Sequence, residues 1–166
     1  MTDFPPTTDL CDAHEALFDS GELSVLPALL AFGARRRFFG QARTIKLFED
    51  NSVLAQAVRE SGHGRVLVVD AGGSRRCAVL GGNLARAAAD NGWVGVIVDG
   101  AIRDLDEIDA LDIGVRALGV TPRRSVKRGE GQRDLVVTIG GARVRSDDWV
   151  YADRDGVLVS ARALHT

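Results

Sequence analysis

Arg65-Val66-Leu67-Val68-Val69-Asp70, Leu84-Ala85-Arg86-Ala87-Ala88-Ala89-Asp90-Asn91 and Val94-Gly95-Val96-Ile97-Val98 follow one another in the middle of the chain, and together they decide the fold. The first and third are near-continuous apolar runs, the pattern of strands buried on both faces, and the alanine-rich piece between them has the spacing of a helix. Strand, helix and strand in that order make a βαβ unit with a parallel sheet. Cys77-Ala78-Val79-Leu80 can add a further short strand before the helix.

Upstream, Gln41 to Phe48 alternates apolar and polar residues as a strand does, within a longer β segment from Leu26 that is broken at Gly33 and Gly40. Asp50 or Asn51 can cap a helix through Arg59 that turns Val53, Leu54, Ala57 and Val58 inward and ends at Gly62. Thr8 to Phe18 has helical spacing, with Thr8 or Asp9 as N-cap and Leu10, Ala13, His14 and Leu17 on one face. Downstream of Asp104, a short helix to Leu111 is expected, then strands at Gly114–Leu118, Leu135–Ile139, Ala142–Val144, Trp149–Ala152 and Val157–Ser160. Gly140-Gly141 and Asp155-Gly156 are hairpin signals between them. A parallel centre flanked by antiparallel strands is a mixed α/β fold with stacked layers, not a doubly wound nucleotide fold.

With 166 residues, 45% hydrophobic and 27% charged, one domain over residues 1–166 is expected. Lys and Arg total 21 against 23 Asp and Glu, which leaves no positive field to hold a polyanion. Nucleic acid is therefore not an expected ligand. Arg35-Arg36-Arg37 and Arg123-Arg124 lack interleaved aromatics and read as solvated surface or subunit contacts. Cys11 and Cys77 have no disulfide or zinc spacing and read as inert thiols. Without a signal-peptide pattern or an apolar run near the ~20 residues of a membrane span, a cytoplasmic protein is expected.

The glycines carry the first chemical signal. Val69-Asp70-Ala71-Gly72-Gly73-Ser74 follows a strand but does not match a dinucleotide loop, and there is no phosphate-binding Gly-Lys-Ser/Thr. Gly81-Gly82-Asn83-Leu84 opens the helix, so its backbone N–H groups can hold a substrate carboxylate; equally, the glycines can simply permit a tight turn. Arg103 and Asp104 follow the strand ending at Val98 and so fall at the carboxyl edge of the sheet, where open α/β sheets place ligands. Asp104 can ligate a hard divalent cation, Arg103 can neutralise an oxyanion, and Glu107 shares a face with Asp104 if a helix starts there. The same spacing also suits an Asp104 cap with Glu107 completing a capping box. Asp99 and Asp106 are weaker candidates for a catalytic base and suit turn or surface roles better, Trp93 and Trp149 are core or interface anchors, and His14, His63 and His165 read as surface residues.

Phe48-Glu49-Asp50-Asn51, Gly64 to Asp70, Gly95 to Asp104, Asp112-Ile113-Gly114-Val115 and Tyr151-Ala152-Asp153 resemble the family that includes the regulator of ribonuclease activity A and the class II 4-hydroxy-4-methyl-2-oxoglutarate aldolases. The resemblance runs from about Thr8 to Ser160. The family's aldolases carry either Asp-x20-Arg-Asp or Gly-x20-Arg-Asp-x2-Glu/Asp, and Gly82, Arg103, Asp104 and Glu107 meet the second pattern. Regulators of the ribonuclease-inhibiting type replace the aspartate after the arginine. Some members have been labelled menaquinone-biosynthesis methyltransferases, but this sequence shows no glycine-rich methyl-donor site.

The resemblance implies a swivelling β/β/α domain that assembles as a homotrimer with active sites between subunits. It implies a lyase that cleaves a small 2-oxo acid, with Mg²⁺ or Mn²⁺ on Asp104 stabilising a pyruvate enolate and Arg103 adding a second positive charge. Gly81 to Leu84 would bind the pyruvyl carboxylate, and the base would be a water of the metal shell oriented by Glu107, with a carboxylate of a neighbouring subunit as a further contributor. Oxaloacetate decarboxylation is an expected second activity, because loss of carbon dioxide gives the same enolate. The alternative is a regulatory protein that binds and inhibits a ribonuclease. A Schiff-base mechanism is not expected, since the lysines available, Lys46 and Lys127, lie outside the motif.

Overall fold

The computed structural model describes residues 3–165. It begins with α1 (Thr7–Ala13) and α2 (Ala16–Ser20), followed by β1 (Leu23–Val25), β2 (Leu30–Phe32) and β3 (Phe38–Lys46). Next come α3 (Ser52–Ala57), β4 (Val66–Asp70), β5 (Ala78–Leu80), α4 (Gly82–Asp90), β6 (Gly95–Ile102), α5 (Leu105–Asp109) and β7 (Gly114–Val120). The chain closes with β8 (Gln132–Arg133), β9 (Val137–Ile139), β10 (Ala142–Val144), β11 (Trp149–Ala152) and β12 (Val157–Ser160).

The main sheet has the order β1-β12-β11-β3-β4-β6-β7-β2, with β5 joined to β6 and β8 to β3. Its centre, β3-β4-β6-β7, is parallel, and β11, β12, β1 and β2 are antiparallel additions. All five residues of β4 are buried, because the strand is covered on both faces. Leu67 and Val69 face a core made with α3 and α4 through Val53, Leu54, Leu84, Ala85 and Ala88. Val66 and Val68 face a second core with Val137 and Val144 of the β9–β10 hairpin and Val150 and Val159 of the antiparallel flank. The period-two geometry of a strand thus turns one apolar run into two interfaces and gives stacked β, β and α layers.

Strand β3 lets the sheet curl. Phe38 to Gln41 pair with β11, whereas Ala42 to Lys46 pair with β4, so one nine-residue strand belongs to both layers. Gly40 lies at the changeover, where a Cβ would overlap the Gly64 carbonyl oxygen. The outer face of the antiparallel flank is closed by α1 and α2, with Phe4, Leu10, Leu23, Tyr151, Leu158 and Leu164 forming a third core.

Several local expectations change. The helix expected over Thr8–Phe18 is two helices broken at His14, whose φ of −126° leaves the helical region. The break turns the chain so that Leu10, Leu17 and Phe18 all pack on the third core. Its start is not capped by Thr8 or Asp9; instead the Thr7 amide and hydroxyl both donate to the Asp153 carboxylate at 2.8 Å. The helix expected to reach Arg59 stops at Ala57, and β1 and β8 have no expected counterpart. Arg35 is not simply solvated: it makes a bidentate pair with Asp112 at 3.0 and 2.8 Å. His165 is not a surface bystander: its Nδ1 lies 2.7 Å from the Tyr151 hydroxyl, and its ring packs on Phe39 and Trp149. Both cysteines are free thiols, pushed up mainly by burial. Among the described residues no helix is long and apolar enough to cross a membrane.

Candidate functional site

Parallel pairing of β5 with β6 sets Leu80 beside Ile102, and the Arg103 amide continues the ladder by donating to the Leu80 carbonyl at 3.0 Å. The residues after each strand are therefore neighbours. Gly81-Gly82 and Arg103-Asp104, distant in sequence, meet at the start of α4.

Asp104 has φ 61° and ψ 48°, a left-handed conformation that is uncommon for a residue with a side chain. Its backbone begins α5 and its carbonyl accepts from Ile108, but its carboxylate makes no cap on that helix. The carboxylate instead reaches across to α4, where Oδ2 accepts the Gly82 amide at 2.9 Å. The capping-box arrangement is thus not formed. Arg103 Nε stands 3.8 Å from the same oxygen, and its Nη1 donates to the Pro122 carbonyl at 3.4 Å.

The two glycines are required by close approach. A Cβ on Gly81 would lie 2.7 Å from Asp104 Oδ2, and one on Gly82 would overlap Glu107 Oε2. Glu107 therefore fills the space that a side chain at position 82 would occupy. A carboxylate at position 82 would enter the volume that the Glu107 carboxylate occupies here.

Gly82 also departs from the expectation of a fully open helix start, because its N–H is already used by Asp104. Asn83 and Leu84 remain, both in the first turn and without an acceptor inside the helix. Asp104 Oδ1 and both Glu107 oxygens accept no hydrogen bond among the described residues, and the Asp104 side chain is 39% exposed. Such hard, uncommitted oxygens fit a divalent cation. Among the described residues no three His, Cys, Asp or Glu side chains converge as a cage, so a cation here would be held chiefly by water beyond Asp104.

Of the other acidic residues near this edge, Asp70 is committed elsewhere. Asp70 accepts from Lys46 at 3.2 Å and from the Gly72 amide at 2.9 Å. Asp99 is half-buried on β6, its carboxyl pushed up by burial and by the charge of Asp70. Asp106 is exposed on α5. Sequence reasoning gave Asp50 only a helix-capping role, whereas its buried carboxylate also gathers the loop after Ser125. Oδ1 accepts the Ser52 hydroxyl and amide, and Oδ2 accepts the Arg128 and Glu130 amides at 2.7 and 3.3 Å. Burial pushes this carboxyl up, but the four donors prevail and lower it to about 2. No local signal reveals that role, since the partners are 78 and 80 residues away.

A family model described as RraA-like, Aldolase/RraA, matches residues 7–159. The chain belongs to the RraA-like family. A relative from Cupriavidus necator, provisionally named a 4-hydroxy-4-methyl-2-oxoglutarate aldolase, is 53% identical over 161 residues, covering 96% of this chain and 98% of its own. A Burkholderia mallei relative with the same provisional name is 55% identical over 159 residues, covering 95% and 96%. Among solved structures, the RNA-processing inhibitor RraA from Thermus thermophilus matches this RraA-like chain with a TM-score of 0.88 at 43% identity, covering 94% and 92%. A Geobacillus kaustophilus protein described as an S-adenosylmethionine:2-dimethylmenaquinone methyltransferase matches with a TM-score of 0.90 at 43% identity, covering 96% and 97%.

Proposed function

We propose that this RraA-like protein is a divalent-metal-dependent aldolase that cleaves 4-hydroxy-4-methyl-2-oxoglutarate into two pyruvates, with oxaloacetate decarboxylation as a second activity. The observation that carries the reading is the meeting of Arg103, Asp104 and Glu107 over the glycine start of α4, with carboxylate oxygens left uncommitted. The names of the Cupriavidus and Burkholderia relatives, matched over nearly their whole length, support the same reaction.

In this reading the amides of Asn83 and Leu84 hold the pyruvyl carboxylate, helped by the positive end of α4. Arg103 stands beside the 2-oxo oxygen and stabilises the negative charge that arrives there. Asp104 would hold Mg²⁺ or Mn²⁺, and its bond from the Gly82 amide fixes the carboxylate's orientation. When bound, that ion supplies Lewis-acid stabilisation of the same developing charge. Glu107 hydrogen-bonds a water that takes the proton of the 4-hydroxyl. As that proton leaves, C4 becomes a carbonyl, the C3–C4 bond breaks, and its electron pair moves toward the 2-oxo group; protonation at C3 gives the second pyruvate. Lys46 is occupied by Asp70, which agrees with a route that needs no Schiff base. The corner is open in the single chain, and a homotrimer in which a neighbouring subunit closes it completes the proposal.

The Thermus inhibitor's likeness favours one other reading, a protein that binds a ribonuclease. Pyruvate release from 4-hydroxy-4-methyl-2-oxoglutarate and from oxaloacetate separates the two. Turnover with Mg²⁺ or Mn²⁺ that a chelator abolishes is the expected result. Folded protein with no release above the metal-only background, but with saturable binding to a ribonuclease in calorimetry, would replace the aldolase with the regulator.

A further inference from the structure

Arg123-Arg124 looks like a solvated charge run in sequence, yet the fold fixes its backbone at several points. The Ala78 amide donates to the Arg123 carbonyl at 2.7 Å, and the Ser125 amide returns a bond to the Ala78 carbonyl at 3.2 Å. The Val126 amide donates to Glu49, and the Arg128 amide to the buried Asp50 carboxylate. A cavity of about 650 Å³ runs along Arg123 to Arg128. A second, of about 350 Å³, shares Arg123 and Arg124 and adds Arg76.

Ser125 supplies an independent pointer to a ligand. It lines the larger cavity and is 6% exposed, and its buried Oγ has no hydrogen-bond partner. A buried hydroxyl left in that condition, on a residue that lines a cradle of arginines, is an unused donor beside an anion-attracting space.

The cradle adjoins the site already described. Ala78, to which Arg123 and Ser125 are bonded, starts the strand that ends beside Gly81; three residues of extended chain span about 10 Å. The Arg103 guanidinium donates to Pro122 at the head of the basic segment and thus stands at the boundary. A five-carbon dicarboxylate with one end at the α4 amides would have its other end met by long side chains reaching back from this segment, as arginines can.

We propose that Arg123, Arg124 and Ser125 form a second anion site, which takes the distal carboxylate of a dicarboxylic 2-oxo acid and makes the protein selective for dicarboxylates. The proposal rests on the aldolase reading for the position of the substrate's pyruvyl half. Removing the distal carboxylate leaves two guanidinium groups and the Ser125 hydroxyl without their partner, which is the stronger form of discrimination available to a binding site.

The test uses two compounds that lack the 4-hydroxyl and so cannot be cleaved: 2-oxoglutarate, and 2-oxopentanoate, which carries a methyl group in place of the distal carboxylate. Calorimetric binding to the full chain with Mg²⁺ is expected to favour 2-oxoglutarate by about tenfold or more. Arg123→Gln with Arg124→Gln should bring that preference close to unity, and Ser125→Ala, which alters one buried atom, should reduce it in part. Equal binding of the two compounds by wild type that still releases pyruvate from 4-hydroxy-4-methyl-2-oxoglutarate would overturn the second site and leave the aldolase standing. An undiminished preference in the arginine double variant would overturn its assignment to these residues. Failure to bind either compound, together with no pyruvate release, would remove both readings.

Discussion

Asp50 and Asp104 are both aspartates that accept backbone amides across the fold, and they differ in how much of their capacity is used. Asp50 is 1% exposed and takes four donors, two from Ser52 and one each from Arg128 and Glu130. Asp104 is 39% exposed in its side chain, takes the Gly82 amide alone, and keeps Oδ1 free among the described residues. A satisfied buried carboxylate ties segments together; a half-satisfied exposed one, in a left-handed backbone position beside an arginine, is arranged to receive something. The contrast gives the first a structural role and is what the proposed function draws on in placing chemistry at the second.

Substitutions at the two positions should separate accordingly. Asp104→Asn is expected to lower metal-dependent pyruvate release by about a thousandfold, the scale of losing several kcal/mol of charge stabilisation in the transition state. Its urea midpoint should hardly move, because exposed substitutions usually stay within ~0.5 kcal/mol. Asp50→Ala should do the reverse in stability, costing about 3 kcal/mol in urea unfolding, since it strands the Ser52, Arg128 and Glu130 amides.

A finer test concerns the shared volume of Gly82 and Glu107. Gly82→Asp places a second carboxylate against Glu107, and turnover should fall about tenfold, the scale of about 1.4 kcal/mol. Combining it with Glu107→Ala leaves a single carboxylate, the one at position 82, in the volume and should recover most of the lost rate. If the double variant is no better than Gly82→Asp alone, the two positions are not exchangeable.

The smallest effect is one of pH. The Asp50 carboxyl is lowered to about 2 in the fold, so the folded state binds this proton less readily than the unfolded chain, where an aspartate titrates near 3.9. Its contribution to stability is therefore fully present above about pH 4 and is lost as pH falls toward 2. Acid unfolding followed by circular dichroism should be shallower over that window in Asp50→Asn than in wild type, each measured from its own neutral-pH stability.

The centre of the fold was legible because its physics is local. Val66–Asp70 and Gly95–Ile102 are strands buried on two faces, and Gly82–Asp90 has the helical period between them. The curl of the sheet was not, because it depends on β3 pairing with β11 in its first half and β4 in its second. At the candidate site, the motif gave Gly82, Arg103, Asp104 and Glu107 as a set. It did not show that Asp104 spends one oxygen on the Gly82 amide, which needs the β5–β6 register to bring the two together. The same limit hid Asp50, whose partners are fixed by the return of the chain after β7, and made a backbone-anchored Arg123-Arg124 resemble ordinary surface charge.

The most direct measurement is Mn²⁺ binding by electron paramagnetic resonance on the full chain, read as loss of the free-ion signal and independent of turnover. The account predicts one saturable site per chain in wild type and in Asp50→Asn, and its loss in Asp104→Asn at unchanged folding. Saturable binding that survives in Asp104→Asn, or none in wild type, would contradict the assignment of Asp104 as the metal-holding carboxylate.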